Sequence, residues 1–197
     1  KSGRGDVLYI GCFPGRSLEA YSDYTLLIPE AQEESTAQTR ALSTMYLATT
    51  GLALIGANRR GDLAELRKLA PAAQRMLQEY GDLAQSIGAD LDIDRFYFLG
   101  SRALYGLASE LSLKMKEMTL SHSEPFHTLE FRHGPRSMAT EGACVVGLLS
   151  DGRRTLEQAV LAEMVEQGAQ LLTMDEHDAD VAFQSGLPAP LRDVLYL

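Results

Sequence analysis

Short apolar runs alternate with longer amphipathic ones along this chain. "DVLYIG" (Asp6–Gly11), "YTLLIP" (Tyr24–Pro29), "RFYFLG" (Arg95–Gly100), "ACVVGLL" (Ala143–Leu149) and "AQLLTM" (Ala169–Met174) are each nearly continuous in apolar residues. Strands buried on both faces of a parallel sheet read this way. Between them, apolar residues recur every three to four positions and predict helices. The first runs from about Thr36 through the small-residue run "ALSTMYLATTGLALIG", which predicts burial on more than one side, until "RRGD" (Arg59–Asp62) breaks it. The next carries an apolar stripe of Leu63, Leu66, Leu69, Met76, Leu77 and Leu83, and Pro71 must kink or restart it. Two more are expected, from about Ala103 to Met118 and over "RTLEQAVLAEMVEQG". The closing "DVLYL" reads as a further, unfinished strand, and both ends of the protein are expected to lie outside this sequence. Strands separated by helices of this length imply βαβ units, hence an α/β fold: a three-layer α/β/α sandwich around a parallel sheet. The alternation comes in two stretches, with the boundary expected in the helical region 60–94.

The bulk properties narrow the classes. A chain of 197 residues holds one large domain or one domain and part of another, and 45% apolar residues supply a core. No apolar pattern is long enough to span a membrane. A net charge of −9 argues against general nucleic-acid binding, but not against a small anion in a local pocket. Cys12 and Cys144 both sit in strand-like runs, without CxxC or metal spacing. They read as two buried, reduced thiols in a cytoplasmic protein. No GxSxG, P-loop or dinucleotide fingerprint is present.

In such folds function gathers at the carboxyl ends of the strands, here the loops after Ile28, Leu99 and Leu149. After Ile28, "EESTAQTR" has Ser35 three residues before Gln38, a capping box at a helix start. Its exposed amides and the hydroxyls of Ser35, Thr36 and Thr39 would equally suit an anion or a polyol, and the two readings are compatible. On the helix after Leu99, Glu110, Lys114 and Glu117 fall within about 60° of one another. Leu104, Leu107, Leu111, Met115 and Met118 form the adjacent apolar face. The plain reading is a solvated ion pair worth a few tenths of a kcal/mol. Against it, the helix follows a central strand and leads, through a turn region, into "SHSEPFHTLEFRHGP". His122, His127 and His133 are spaced by five and six residues, which suits no familiar metal set. A structural hydrogen bond is the expectation for His122 and His127, and proton transfer for His133, held by Gly134-Pro135.

These residues carry a resemblance. Glu110, Lys114, Glu117, then His122 and Glu124, then His133-Gly134-Pro135 resemble the second SIS (sugar isomerase) domain of phosphosugar isomerases. The isomerase half of glucosamine-6-phosphate synthase belongs to that family. "FRHGPRS" is closer to the tagatose-6-phosphate isomerase and amino-sugar-phosphate deaminase branch, and "DYTLLIPEAQEESTAQTRALSTMYL" resembles the end of a first SIS domain. The resemblance implies a flavodoxin-like fold, with 1–60 the end of a first SIS domain, 61–94 a helical linker and 95–197 the second. It implies aldose–ketose isomerisation, with or without deamination, of a hexose or aminohexose 6-phosphate in a homodimer with shared sites. Glu117 would move the proton between C1 and C2, His133 would open the ring in a partner's site, and Lys114 would sit by the reacting oxygens or hold Glu117 in place. Ser35, Thr36, Gln38 and Thr39 would line the sugar phosphate, and Glu110 would join them in binding substrate or else serve only as a structural partner of Lys114. No metal or organic cofactor is required, and nucleic acid and membrane are not expected partners. The alternative is a sugar-phosphate-binding regulatory protein without catalysis. The sequence departs from the synthase at Gln38, Arg40 and Arg136, and it lacks the family's Ser-x-Ser-Gly-x-Thr phosphate loop and C-terminal catalytic lysine.

Overall fold

The structure, a computed structural model, describes residues 5–197. The chain divides into two compact units between Leu63 and Ala64.

In the first unit, β1 (Leu8–Gly11) and β2 (Tyr24–Leu27) pair in parallel, with Leu8 opposite Tyr24 and Gly11 opposite Leu27. Helix α1 (Arg40–Gly56) begins four residues later than the sequence suggested. The cap is Glu33, not Ser35. Its carboxylate accepts from the amides of Ala41 (2.8 Å) and Arg40 (3.3 Å) and from the Thr39 hydroxyl (3.2 Å). The Ser35 hydroxyl instead donates to the Ala37 carbonyl at 2.9 Å, so the expected Ser35–Gln38 capping box does not form. A longer acidic side chain thus reaches past the serine to the free amides of the first turn. Those amides hold the Glu33 carboxyl below its usual range, the Ala41 bond foremost. Burial of α1 on more than one side is not found. Only Ala41 and Leu54 are buried, because the unit offers little beyond a two-stranded sheet and short turns to pack on. Asn58, in the left-handed region at φ 55°, breaks the helix, and Arg60–Asp62 then open the short α2 (Arg60–Glu65).

The second unit starts with α3 (Leu69–Glu79) and α4 (Gly81–Ala89). Pro71 is the third residue of α3, where no intrahelical partner awaits an N–H, so the helix restarts there as expected. Leu69 is buried, but Leu77, assigned to the same stripe, is 80% exposed. The sheet that follows is parallel throughout, built from β3 (Arg95–Gly100), β4 (His122–His127), β5 (Ala143–Leu148), β6 (Gln170–Asp175) and β7 (Val181–Ala182). Its order is β4-β3-β5-β6-β7. Helix α5 (Ala103–Thr119) packs on β3 and β4, and α6 (Arg154–Glu166) on β5 and β6. One crossover runs outward from β3 and the other runs the opposite way from β5. Right-handed connections therefore put the two helices on opposite faces. This is the three-layer α/β/α sandwich expected.

Two strands were not foreseen. The turn expected after α5 contains β4, whose "HSEPFH" lacks an apolar run because it is an edge strand. An edge tolerates Pro125, since the missing N–H faces no partner. The two-residue β7 is too short to register as a pattern. The closing "DVLYL" is not a strand but a 3-10 turn, Asp193–Tyr196, tied down by the Tyr196 hydroxyl, which donates to the Leu149 carbonyl at 2.6 Å. Tyr97, Leu99 and Val145 from the central strands meet Val160, Leu161 and Met164 of α6 in the core, capped by Phe131. Gly147 lets α6 approach: a Cβ there would strike the Leu161 side chain. Cys144 is buried and Cys12 only half-buried, so one of the two expected buried thiols is partly open.

Candidate active site

The strand order reverses between β3 and β5, and the crevice outside their carboxyl ends is where such sheets bind ligands. A cleft of about 480 Å³ lies there, lined among others by Ser101, Arg102, Ser150, Asp151, Arg153 and Arg192. Local sequence shapes it. A Cβ on Gly100 would run into the backbone of Leu104, so only glycine lets α5 start this close to the strand. Arg102, at φ 54°, caps that helix with its backbone alone. On the other wall Glu157, fully buried, accepts from the Ser150 amide (2.7 Å) and hydroxyl (2.8 Å) and holds the β5–α6 loop.

The floor of the cleft is ionic. Arg192 is buried, pairs with Asp151, donates to the Leu187 carbonyl at 3.0 Å and lies 3.7 Å from Asp175 and 3.8 Å from Glu176. Burial pushes the Asp193 carboxyl up, against the pull of Arg192. The Ser101 hydroxyl is buried without a partner among the described residues. The loops after Leu99 and Leu149 were legible as candidates, but their side chains were not singled out. Arg192, Asp193 and Tyr196 come from the far end of the chain and carry no sequence signal.

The charged face of α5 assembles as its spacing implies. Lys114 Nζ donates to Glu117 Oε2 at 2.6 Å and lies 3.4 Å from Glu110 Oε1. The lysine side chain is 18% exposed, so its ammonium is partly withdrawn from water. Its hydrogen bond to Glu117 raises its pKa, helped by Glu110 and opposed by burial. Lys114 is therefore a fixed cation beside a half-exposed carboxylate. His133 follows the 3-10 turn Glu130–Arg132, with its amide donating to the Glu130 carbonyl at 2.9 Å. Gly134 at φ 123° turns the chain into Pro135. His133 is exposed. None of Glu110, Lys114, Glu117 and His133 lines the cleft.

His127 and His122 make ring contacts, and His122 Nε2 also lies 3.9 Å from Glu124 Oε1, beyond the reach of the expected hydrogen bond. His127 stacks on Tyr105 at 4.0 Å, and His122 meets the Tyr97 ring edge-on. In the first unit, Ser35, Thr36, Gln38 and Thr39 all lie exposed on the loop before α1. Among the described residues no group of three His, Cys, Asp or Glu side chains is placed to hold a metal ion, and no helix is long and apolar enough to cross a membrane.

The topology defines a doubly wound α/β domain with a switch-point cleft. Residues 91–185 match the model of the SIS domain, and this segment belongs to that family. The glutamine–fructose-6-phosphate aminotransferase (isomerizing) of Sulfurisphaera tokodaii is 28% identical over 175 residues, 85% of this chain and 29% of the relative. The enzyme of the same name from Halobacterium salinarum is 33% identical over 114 residues, 57% of this chain and 19% of the relative. Among solved structures, glucosamine-6-phosphate deaminase from Thermotoga maritima matches with a TM-score of 0.75 at 25% identity, over 96% of this chain and 56% of that one. Tagatose-6-phosphate ketose/aldose isomerase from Escherichia coli shares the fold, with a TM-score of 0.77 at 23% identity over 96% of this chain and 57% of that one. The chain thus spans under a third of the length of the curated relatives it matches.

Proposed function

We propose that this chain is part of a phosphosugar isomerase that shifts a proton between C1 and C2 of a hexose or aminohexose 6-phosphate. The observation that carries the reading is the Lys114–Glu117 contact of 2.6 Å on the helix after the central strand, within the SIS segment. The Glu117 carboxylate takes the C2 proton of the open-chain aldose, leaving an enediolate; a proton passes from O2 to O1, and Glu117 returns its proton to C1 to give the ketose. Lys114 places a positive charge where negative charge develops on the substrate oxygens. His133 protonates the ring oxygen as the ring opens, imidazole being a side chain that can carry and hand over a proton. The exposed Ser35, Thr36, Gln38 and Thr39 contact the sugar phosphate, and Glu110 holds Lys114. The working unit is a homodimer with shared sites. An amino sugar would additionally lose ammonia, as the name of the Thermotoga maritima relative describes for that enzyme.

The test is exchange of substrate hydrogen with D2O, followed by NMR on fructose 6-phosphate and tagatose 6-phosphate. Glu117→Gln is expected to lower the exchange rate by about 10²–10⁴-fold, the usual worth of a general base, with binding retained. Exchange by that variant at the rate of the unsubstituted protein would exclude Glu117 as the base.

One observation favours a second reading, a regulatory SIS protein that binds a sugar phosphate without converting it. The cleft at the switch point is lined by neither Glu117 nor His133. Saturable binding of these sugars without any exchange would decide for that reading.

A further inference from the structure

The turn that carries His133 leaves the core at Phe131 and re-enters it at Ala139, both fully buried. Between those anchors the chain is largely exposed. Arginines stand on either side of the histidine, Arg132 just before it and Arg136 just after Gly134-Pro135. Both reach the same carboxylate on α6. Arg132 Nη2 pairs with Glu163 Oε1, Arg132 Nε donates to Oε2 at 3.2 Å, and Arg136 Nη1 donates to Oε2 at 3.3 Å.

We propose that Glu163 is a positioning residue, which clamps the His133-Gly134-Pro135 turn to α6 through Arg132 and Arg136 and so sets where the imidazole stands. Exposed ion pairs contribute little singly, but a two-point arginine–carboxylate contact within a network is the exception. Here one guanidinium is bound at two points and a second is shared. Glu163 is the least exposed of the three side chains at 24%, so the fixed partner is the one on the helix. Acting through two arginines, Glu163 need not touch substrate. Its catalytic consequence rests on the role proposed above for His133.

The experiment compares the full chain with Glu163→Gln, which keeps the shape and removes the charge, and Glu163→Asp, which keeps the charge on a shorter arm. Hydrogen exchange of the His133, Ser137 and Ala139 amides reads the turn directly, since each donates within it. Glu163→Gln is expected to speed these amides by about fivefold, with Glu163→Asp in between. With fructose 6-phosphate in D2O, Glu163→Gln is expected to lower kcat by about tenfold at unchanged KM, since a displaced catalytic group costs rate rather than binding. Raising the salt concentration is expected to lower kcat of the unsubstituted protein toward that of Glu163→Gln and to leave the variant unchanged. Unchanged amide exchange in Glu163→Gln overturns the clamp. Faster amide exchange with unchanged kcat overturns the positioning role. Absence of isomerisation by the unsubstituted protein refutes the proposed activity instead, and the amide measurement still decides whether Glu163 holds the turn.

Discussion

Cys144 is the second residue of β5, paired in register with Phe96 of β3, and is almost fully buried. Desolvation, with a smaller contribution from the charge of Asp90, pushes its thiol from about 9 to about 11. The folded chain therefore keeps the thiol protonated where the unfolded chain would ionise it. A raised pKa gives stability that is complete below the unfolded value and is lost as pH climbs through the folded one. Between pH 9 and 11 this group alone is expected to cost roughly 2–3 kcal/mol of folding free energy. Burial raises the phenols of Tyr97 and Tyr196 as well, so total stability falls for more than one reason. The comparison that isolates Cys144 is urea unfolding of the unsubstituted protein and Cys144→Ala at pH 8 and pH 11. The variant should lose less stability over that interval, and parallel losses would remove the thiol from the account. That Cys144 is buried was legible from its apolar run. Cys12 closes a similar run but lies just past β1 of a two-stranded sheet, and the run alone does not distinguish the two settings.

Helix α5 ends on Leu120, which adopts the left-handed conformation at φ 60° and is 89% exposed. Its amide donates to the Lys116 carbonyl at 3.1 Å, so the backbone closes the helix as a glycine would. A leucine is strained there and its side chain buries little in return. Leu120→Gly is expected to stabilise the protein by about 0.5–1 kcal/mol, read as a rise in the urea midpoint, because the strain exceeds the entropy that glycine adds to the unfolded chain. A lower midpoint would mean the leucine packs in some state of the molecule. The same junction shows what a sequence pattern can and cannot carry. Strands β3 and β5 are flanked on both sides and announce themselves as apolar runs. Strand β4 lies at the edge, so its residues answer to a half-exposed surface, and "HSEPFH" reads as a turn. The start of α1 was misplaced because the cap comes from Glu33, seven residues ahead of the amide of Arg40, a longer reach than the capping-box spacing. The Glu110–Lys114–Glu117 face was fully legible, because helix geometry alone brings those three together.

At the scale of the molecule, the cleft was only half legible: two of its walls are loops after strands, while Arg192 and Tyr196 are folded back from the end of the chain. The other end of the sheet poses a similar problem. Strand β7 has two residues and one neighbour, an edge with little to hold it. The corner between α3 and α4 supplies what it lacks. The Tyr80 hydroxyl accepts from the Ala182 amide at 3.0 Å and donates to the Ala182 carbonyl at 3.2 Å, while Arg75 donates to the Phe183 carbonyl. One phenol thus takes the place of a missing strand for both polar groups of one residue. These contacts come from residues ahead of 91, where the family match begins. The helices α3 and α4, expected as a linker, therefore serve the sheet. Tyr80→Phe keeps the ring and removes both bonds, leaving the Ala182 amide and carbonyl to find water at a buried edge. We expect a loss of about 1–3 kcal/mol in urea unfolding and faster exchange of the Ala182 amide, with the amides of β3 and β5 changed only by the overall loss of stability. A chain shortened to begin at Leu91 loses Arg75 as well and should be less stable than Tyr80→Phe. If the shortened chain unfolds at the same urea concentration as the full one, the helix pair is a linker after all.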